Sequence, residues 1–321
     1  MPASLDFLES GARKTGYQAA TLEKVVRLGE IAGEISRHPT LSGQLVLKGG
    51  TAINLCPGPP ERLSVDLDFN FIGCANRSGM IEARPHVERS LGELLRKLGY
   101  RVQMSPDAAA SRKIFANYRS ALGPEDRVEV DINYLWRVPL AGLQRVTLWQ
   151  PDHLEQPTVR MVSNEELWTG KMLAFLDRTA PRDAWDIWRL GKSPCLTESL
   201  ASLRRWCIAM SIILDRPLVH YDRSRLAARL TADAIQSQLH PMLDLASRPA
   251  PEVLADGAWQ VTMTLLSLAP SESEFLQLAL SGTLAPHLIF AEDSAAAARF
   301  TNHPQVTWKM QNLRRHLRMQ S

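Results

Sequence analysis

Asp66 and Asp68 stand one residue apart inside the apolar run SVDLDFNFI, residues 64–72. If this run is a strand, Asp66, Asp68 and Asn70 share one face while Leu67, Phe69 and Phe71 share the other. Two carboxylates so close repel one another and desolvate badly unless a cation lies between them, and a divalent metal held by oxygen ligands is the usual solution. The same pair would also serve an exposed edge strand, where inward or facing charges discourage strand-to-strand aggregation.

The residues before the pair sharpen the choice. A short apolar stretch, Gln44 to Leu47, runs into Lys48, Gly49, Gly50 and Thr51 and then into the helix-compatible Ala52, Ile53, Asn54 and Leu55. Strand, glycine turn and helix start form a site for phosphate, because glycines allow close approach and the first amides of a helix favour an anion. Thr51 is placed to cap that helix. Many tight turns of this composition bind nothing, but a phosphate turn with an acidic strand about fifteen residues later supplies both halves of a metal and triphosphate site. A third acid is offered by RVEVDINY, residues 127–134, where Glu129, Asp131 and Asn133 share the face opposite Val128, Val130 and Ile132. Asp131 is the favoured member, with Glu129 the outer residue of that face. A plain solvated strand face remains the alternative.

The elements that must position these groups divide the chain in two. Residues 1–162 read as a helix, roughly Thr21 to Arg37, followed by mixed strands and helices. The strands are expected at 44–47, 65–72, 100–105, 113–119, 127–134 and 158–162, with a helix from Met80 to Leu98 carrying Leu91, Leu94, Leu95 and Leu98 at helical spacing. Residues 163–321 read as helical throughout, punctuated by Pro194, Pro217, Pro241, Pro270 and Pro286. The 321 residues and 45% hydrophobic content suffice for sizeable cores. No run approaches the roughly 18 apolar residues of a membrane span, and the polar N-terminus is unlike a signal peptide. Cys56, Cys74, Cys195 and Cys207 fall in no CxxC pattern, which argues against a zinc site or a disulfide framework and suits a reducing cytoplasm. A net charge of +3 permits a nucleic-acid partner without demanding one.

In SNEELWTGKMLAFLDR, residues 163–178, Ser163 or Asn164 can cap a helix whose first turn carries Glu165 and Glu166, leaving Lys171 in mid-helix. A second helix begins near Thr179 and Pro181 and puts Asp183, Asp186 and Leu190 on one face, with Arg182 and Asp186 at i, i+4 spacing. Surface ion pairs would account for these charges. Trp185 and Trp188 are left to pack against a neighbouring domain or a base.

Together KGGT, RLSVDLDF, EVDINY and ELWTGKMLAFLDRTAPRDAWDIWRL resemble the AbiEii/AbiGii family of nucleotidyltransferase toxins from bacterial toxin–antitoxin systems. SEFLQLALSGTLAPHLIF and HPQVTWKMQNLRRH resemble that family's tail, so the likeness runs from about Leu45 onward. It implies an α+β fold: a polymerase-β-like nucleotidyltransferase core with a mixed sheet, joined to an all-α C-terminal domain. It also implies Mg²⁺-dependent transfer of NMP from an NTP to an acceptor, in several relatives tRNA, and a cognate antitoxin as partner. On this reading Asp66 and Asp68 hold two Mg²⁺ ions and Asp131 binds one of them and helps activate the acceptor hydroxyl. Lys48, Gly49, Gly50 and Thr51 form the phosphate turn, and Lys171 matches the family lysine that reaches the phosphates. Asp186, or Asp183, orients Lys171 or Arg182 toward the triphosphate. Arg62 is the expected phosphate ligand, and Ser64, on the strand parity of Asp66, faces the site and is a candidate control point. Lys309, Arg314, Arg315, His316 and Arg318 form a basic tail that could grip RNA. A metal-dependent nuclease, a fold-mate without catalysis, and a transferase acting on a protein or small molecule are the rival readings.

Overall fold

The computed structural model describes residues 4–56 and 58–320. The chain resolves into two compact units. The first comprises Met1–Arg137, Leu143–Val162 and Gln236–Arg248; the second comprises Val138–Gly142, Ser163–Ile235 and Pro249–Ser321.

The first unit is built on a seven-stranded mixed sheet. Two helices, α1 (Leu5–Thr15) and α2 (Ala19–Arg37), and a single turn α3 (Leu41–Gln44) lead into β1 (Leu45–Lys48). The short helix α4 (Gly49–Leu55) follows directly, then β2 (Asp66–Phe71) and the long helix α5 (Arg77–Lys97). Strands β3 (Arg101–Met104), β4 (Ser111–Arg119), β5 (Glu125–Asn133), β6 (Leu143–Thr147) and β7 (Thr158–Val162) complete the sheet in the order β3-β4-β5-β2-β1-β7-β6. β2 runs parallel to β5 and β1 parallel to β7; the remaining neighbours are antiparallel.

One sheet face is apolar. Leu45, Leu47, Leu67, Phe69, Phe71, Ile114, Val128, Val130 and Ile132 are all buried there. α2 lies against the sheet through Leu22, Val25, Leu28, Ile31, Ala32 and Ile35, the i, i+3, i+4 stripe of a core-facing helix. Burying each of the Leu, Val and Ile side chains contributes about 1.5–3 kcal/mol before entropy is counted. α5 adds Val87, Leu91, Leu94 and Leu95, and Asn76 caps its start by accepting from the Gly79 amide at 2.8 Å.

Two elements fall outside the expected set. α1 buries only Leu8 and Gly11, and β6 alternates between exposed and half-buried residues at the sheet edge, so each adds little to the core. The segment 236–248 belongs to the first unit through specific bonds: Leu63 donates its amide to the Met242 carbonyl at 2.8 Å, and Thr21 Oγ1 donates to the Pro241 carbonyl at 3.0 Å.

The second unit is helical. α6 (Asn164–Arg178) and α7 (Pro181–Leu190) pack on each other, and α7 packs on the helix Pro251–Leu266. Ser163 caps α6 by accepting from the Glu166 amide at 3.3 Å. Trp188 lies against Gly257, where an added Cβ would fall 2.0 Å from the indole, and Trp185 stacks edge-on to Trp188 with centroids 5.1 Å apart. Both tryptophans are thus packed within their own unit.

Candidate active site

The sheet face opposite the core carries the chemistry. In β2 the aromatic residues turn inward, while Asp66 and Asp68 stay partly exposed on the other face. Register sets their neighbours: Asp66 lies opposite Glu129, and Asp68 opposite Asp131, on the parallel strand β5. Adjacent strands are about 4.8 Å apart, so these acids form two neighbouring rungs of like charge. The Asp68 rung is longer. Lys48 of β1 pairs with Asp68 on one side, and Lys113 of β4 pairs with Asp131 on the other, giving the row Lys48, Asp68, Asp131, Lys113 across four strands.

The acids of these rungs are not equivalent. Glu129 is held by Lys113 Nζ at 3.2 Å and Arg127 Nη2 at 3.1 Å. Asp131 Oδ1 is buried with no hydrogen-bond partner among the described residues. Burial pushes the Asp131 carboxyl above the usual range, Asp68 pushes it further, and Lys48 and Lys113 oppose the rise. An orphaned anionic oxygen beside a second carboxylate is the electrostatic shape of a cation site. Among the described residues no three acidic, His or Cys side chains are yet drawn together as a closed metal-ligand set. The row therefore offers hard oxygen donors of the kind Mg²⁺ takes, with the set left open.

The glycine turn is fitted to Asp68. Gly49 has φ +72°, and a Cβ there would fall 2.2 Å from Asp68 Oδ2. Both facts require glycine. At Gly50 a Cβ would lie 3.0 Å from Ser64 Oγ and 3.3 Å from Arg62 Nη2, so turn, acid strand and the Arg62–Ser64 segment converge. Arg62 and Ser64 are buried, at 1% and 4% exposure, and Arg62 Nη1 donates to the Leu63 carbonyl at 2.8 Å. Thr51 does not cap α4. Lys48 holds the cap position without a side-chain bond, while Thr51 Oγ1, fully buried, donates to the Asp66 carbonyl at 2.5 Å. The sequence reading fails here because the hydroxyl finds a tertiary acceptor instead of the free amides of its own helix.

In the second unit Lys171 is mid-helix and 7% exposed. Its Nζ meets Asp183 Oδ1 at 2.9 Å and Asp186 Oδ2 at 2.8 Å. Arg178 Nε reaches Asp183 Oδ2 at 2.6 Å. Lys171, Asp183 and Asp186 thus form a buried cluster, which the 63%-exposed Arg178 closes from the surface. Burial alone would raise the Asp183 carboxyl, but Lys171 and Arg178 overcome it and hold it well below the carboxylate range. Asp183 and Asp186 together orient Lys171; Arg182 stands half-buried on the same helix as both acids.

The structure therefore brings Asp66, Asp68, Asp131, Lys48, Gly49, Gly50, Thr51, Arg62 and Ser64 into one unit, and gathers Lys171, Asp183 and Asp186 in the other. Sequence reasoning missed Lys113. Its only signal was an exposed-face position in SRKIFANYR, and nothing in one sequence gives the register that sets it opposite Asp131.

Residues 35–254 match the family described as nucleotidyl transferase AbiEii toxin, type IV toxin–antitoxin system. Among solved structures the chain is similar to MenT4, a nucleotidyltransferase toxin from Mycobacterium tuberculosis H37Rv, with 17% identity, a TM-score of 0.60, and coverage of 93% of this chain and 98% of that one. At that identity the likeness speaks for the fold. No curated protein sequence matches.

Proposed function

This chain belongs to the AbiEii nucleotidyltransferase toxin family, and from that premise we propose that it transfers NMP from an NTP to the 3′ end of an RNA, with tRNA as the acceptor class. The family description makes it a toxin of a type IV system, which implies an NTP substrate and an antitoxin partner. Among the described residues no helix is long and apolar enough to cross a membrane.

The observation that carries the chemistry is the Asp68–Asp131 rung: two carboxylates, one with an orphaned buried oxygen, against a turn with no room for a Cβ. Asp66, Asp68 and Asp131 would hold Mg²⁺, which when bound supplies positive charge to the triphosphate and to the attacking and leaving oxygens. Main-chain amides of Gly49, Gly50 and Thr51, at the start of α4, bind phosphate oxygens. Lys48 flanks the acids and tempers their repulsion. Asp131 Oδ1 accepts the proton of the attacking hydroxyl. Arg62 offers its guanidinium behind Gly50.

The test incubates purified protein with total RNA, Mg²⁺ and each α-labelled NTP in turn, beside the Asp68→Asn variant and an EDTA control. Label should enter RNA of tRNA size with the wild type alone. Label recovered in protein or in small molecules would refute the RNA acceptor, and label transfer in EDTA would refute the metal.

A further inference from the structure

The strands β3, β4 and β5 extend the acidic face away from Asp66 and Asp131, and that extension is open. The core side of β4 buries Ile114, Ala116 and Tyr118, whereas its other side presents Lys113, Phe115, Asn117 and Arg119. Phe115 lies opposite Glu129, which lies opposite Asp66, so the ring stands in the same rung as a catalytic acid, two strands or about 10 Å away. It is half-buried, and its face is covered by the Arg127 guanidinium, centred 4.6 Å from the ring. Arg127 is itself 53% exposed and Lys113 48%.

Charge on this face is unbalanced in one direction. Lys113 and Arg127 share the single carboxylate of Glu129. Arg101, 75% exposed, pairs with Glu125 at 2.7 Å, and Arg119 lies opposite the same Glu125 in the ladder. Across β3–β5 four cations thus stand against three anions, the third being Asp131 opposite Lys113. An aromatic ring with a stacked arginine, ringed by surplus cations on an open sheet, suits a single nucleic-acid strand: bases stack on the ring and phosphates meet the arginines.

We propose that the open face of β3–β4–β5 is the platform on which the single-stranded 3′ segment of the RNA acceptor lies, with Phe115 and Arg127 stacking a base about two nucleotides from the reacting end. The proposal rests on the RNA-acceptor reading above for its role, and on the sheet face alone for binding. Lys113 and Arg101 contact the flanking phosphates.

The test is direct. A fluorescent single-stranded RNA of about twelve nucleotides is titrated onto the full chain without NTP, beside a blunt RNA duplex, and the same RNA is then used as acceptor. Phe115→Ala should weaken single-strand binding about tenfold, Phe115→Trp should restore it, Arg127→Gln should weaken it, and Arg101→Gln should lower the salt slope by about one phosphate contact. In the transfer assay Phe115→Ala should raise KM for RNA by a similar factor and leave kcat and KM for NTP within twofold. Wild-type transfer to RNA with unchanged binding and KM in Phe115→Ala would overturn the platform while leaving the transferase reading intact. Single-strand binding that depends on Phe115 without any transfer to RNA would uphold the platform and sink the acceptor reading. Equal affinity for duplex and single strand would also overturn the platform.

Discussion

Replacing Gly49 by alanine tests the site at its tightest point. The added methyl would sit 2.2 Å from Asp68 Oδ2 and 2.8 Å from both its Cβ and Cγ, against the roughly 3.5 Å at which carbon atoms are content. Relief requires Asp68 or the turn to move by about 1 Å. The backbone adds a second cost, because φ of +72° in a residue with a side chain is unfavourable by about 1–2 kcal/mol. Gly49→Ala should therefore lower stability by about 2–3 kcal/mol, read from urea midpoints at unchanged slope. It should lower NMP transfer about a hundredfold, since a misplacement near 1 Å in a reacting constellation costs about that much. Gly50→Ala, with φ outside the left-handed region and its nearest neighbour at 3.0 Å, should be milder on both counts. The double variant Gly49→Ala with Asp68→Ala should lose less stability than the two single losses added, because part of the overlap is gone. Strict additivity, or a Gly49→Ala enzyme within threefold of wild type, would refute the claim that turn and carboxylate are fitted to one another.

Asp66→Ala or Asp68→Ala should abolish transfer and growth inhibition with no fall in Tm, since each removes like-charge repulsion; near wild-type turnover at saturating Mg²⁺ would dismiss the metal role. Lys171→Met should destabilise the fold by about 3–5 kcal/mol, because Asp183 and Asp186 are left buried without their shared ammonium; a chemical-denaturation loss below 1 kcal/mol would contradict this. For acid stability, the Asp183 carboxyl titrates lower in the folded state than in the unfolded chain, so its contribution is whole above about pH 4 and drains away as pH falls further; a midpoint flat from pH 5 to 2 would argue against it. Ser64→Ala should keep appreciable transfer and Ser64→Asp almost none, because a carboxylate at this 4%-exposed position beside Gly50 would stand where triphosphate charge must come; equal rates would show that the position is electrostatically remote.

How much of this was legible in the sequence depends on whether a feature is local. The alternation of Asp66 and Asp68 against Leu67, Phe69 and Phe71 is a period-two pattern, and β2 follows it. The strand over residues 127–134 and the cap at Ser163 were readable for the same reason. Pairing was not. That Asp68 faces Asp131 rather than Glu129 follows from register between segments about sixty residues apart, which one sequence does not encode in any short pattern. Thr51 shows the same limit from the other side: its capping chemistry was sound, but a buried carbonyl of Asp66 competed and won. Lys113 and Phe115 were invisible as site residues because a lysine and an aromatic on an alternating strand are ordinary until their strand is placed beside β5.

The segment 236–248 lies within the helical stretch of the sequence yet is bonded to the first unit, where the Met242 carbonyl accepts from the amide of Leu63, one residue before Ser64. A single genetic crossover near residue 162 would hand a new partner its helices but carry off the strap that holds down the Arg62–Ser64 approach to the acids. An N-terminal fragment made for the laboratory would suffer the same loss. Only a piece that holds residues 1–162 and 236–248 together keeps that bond.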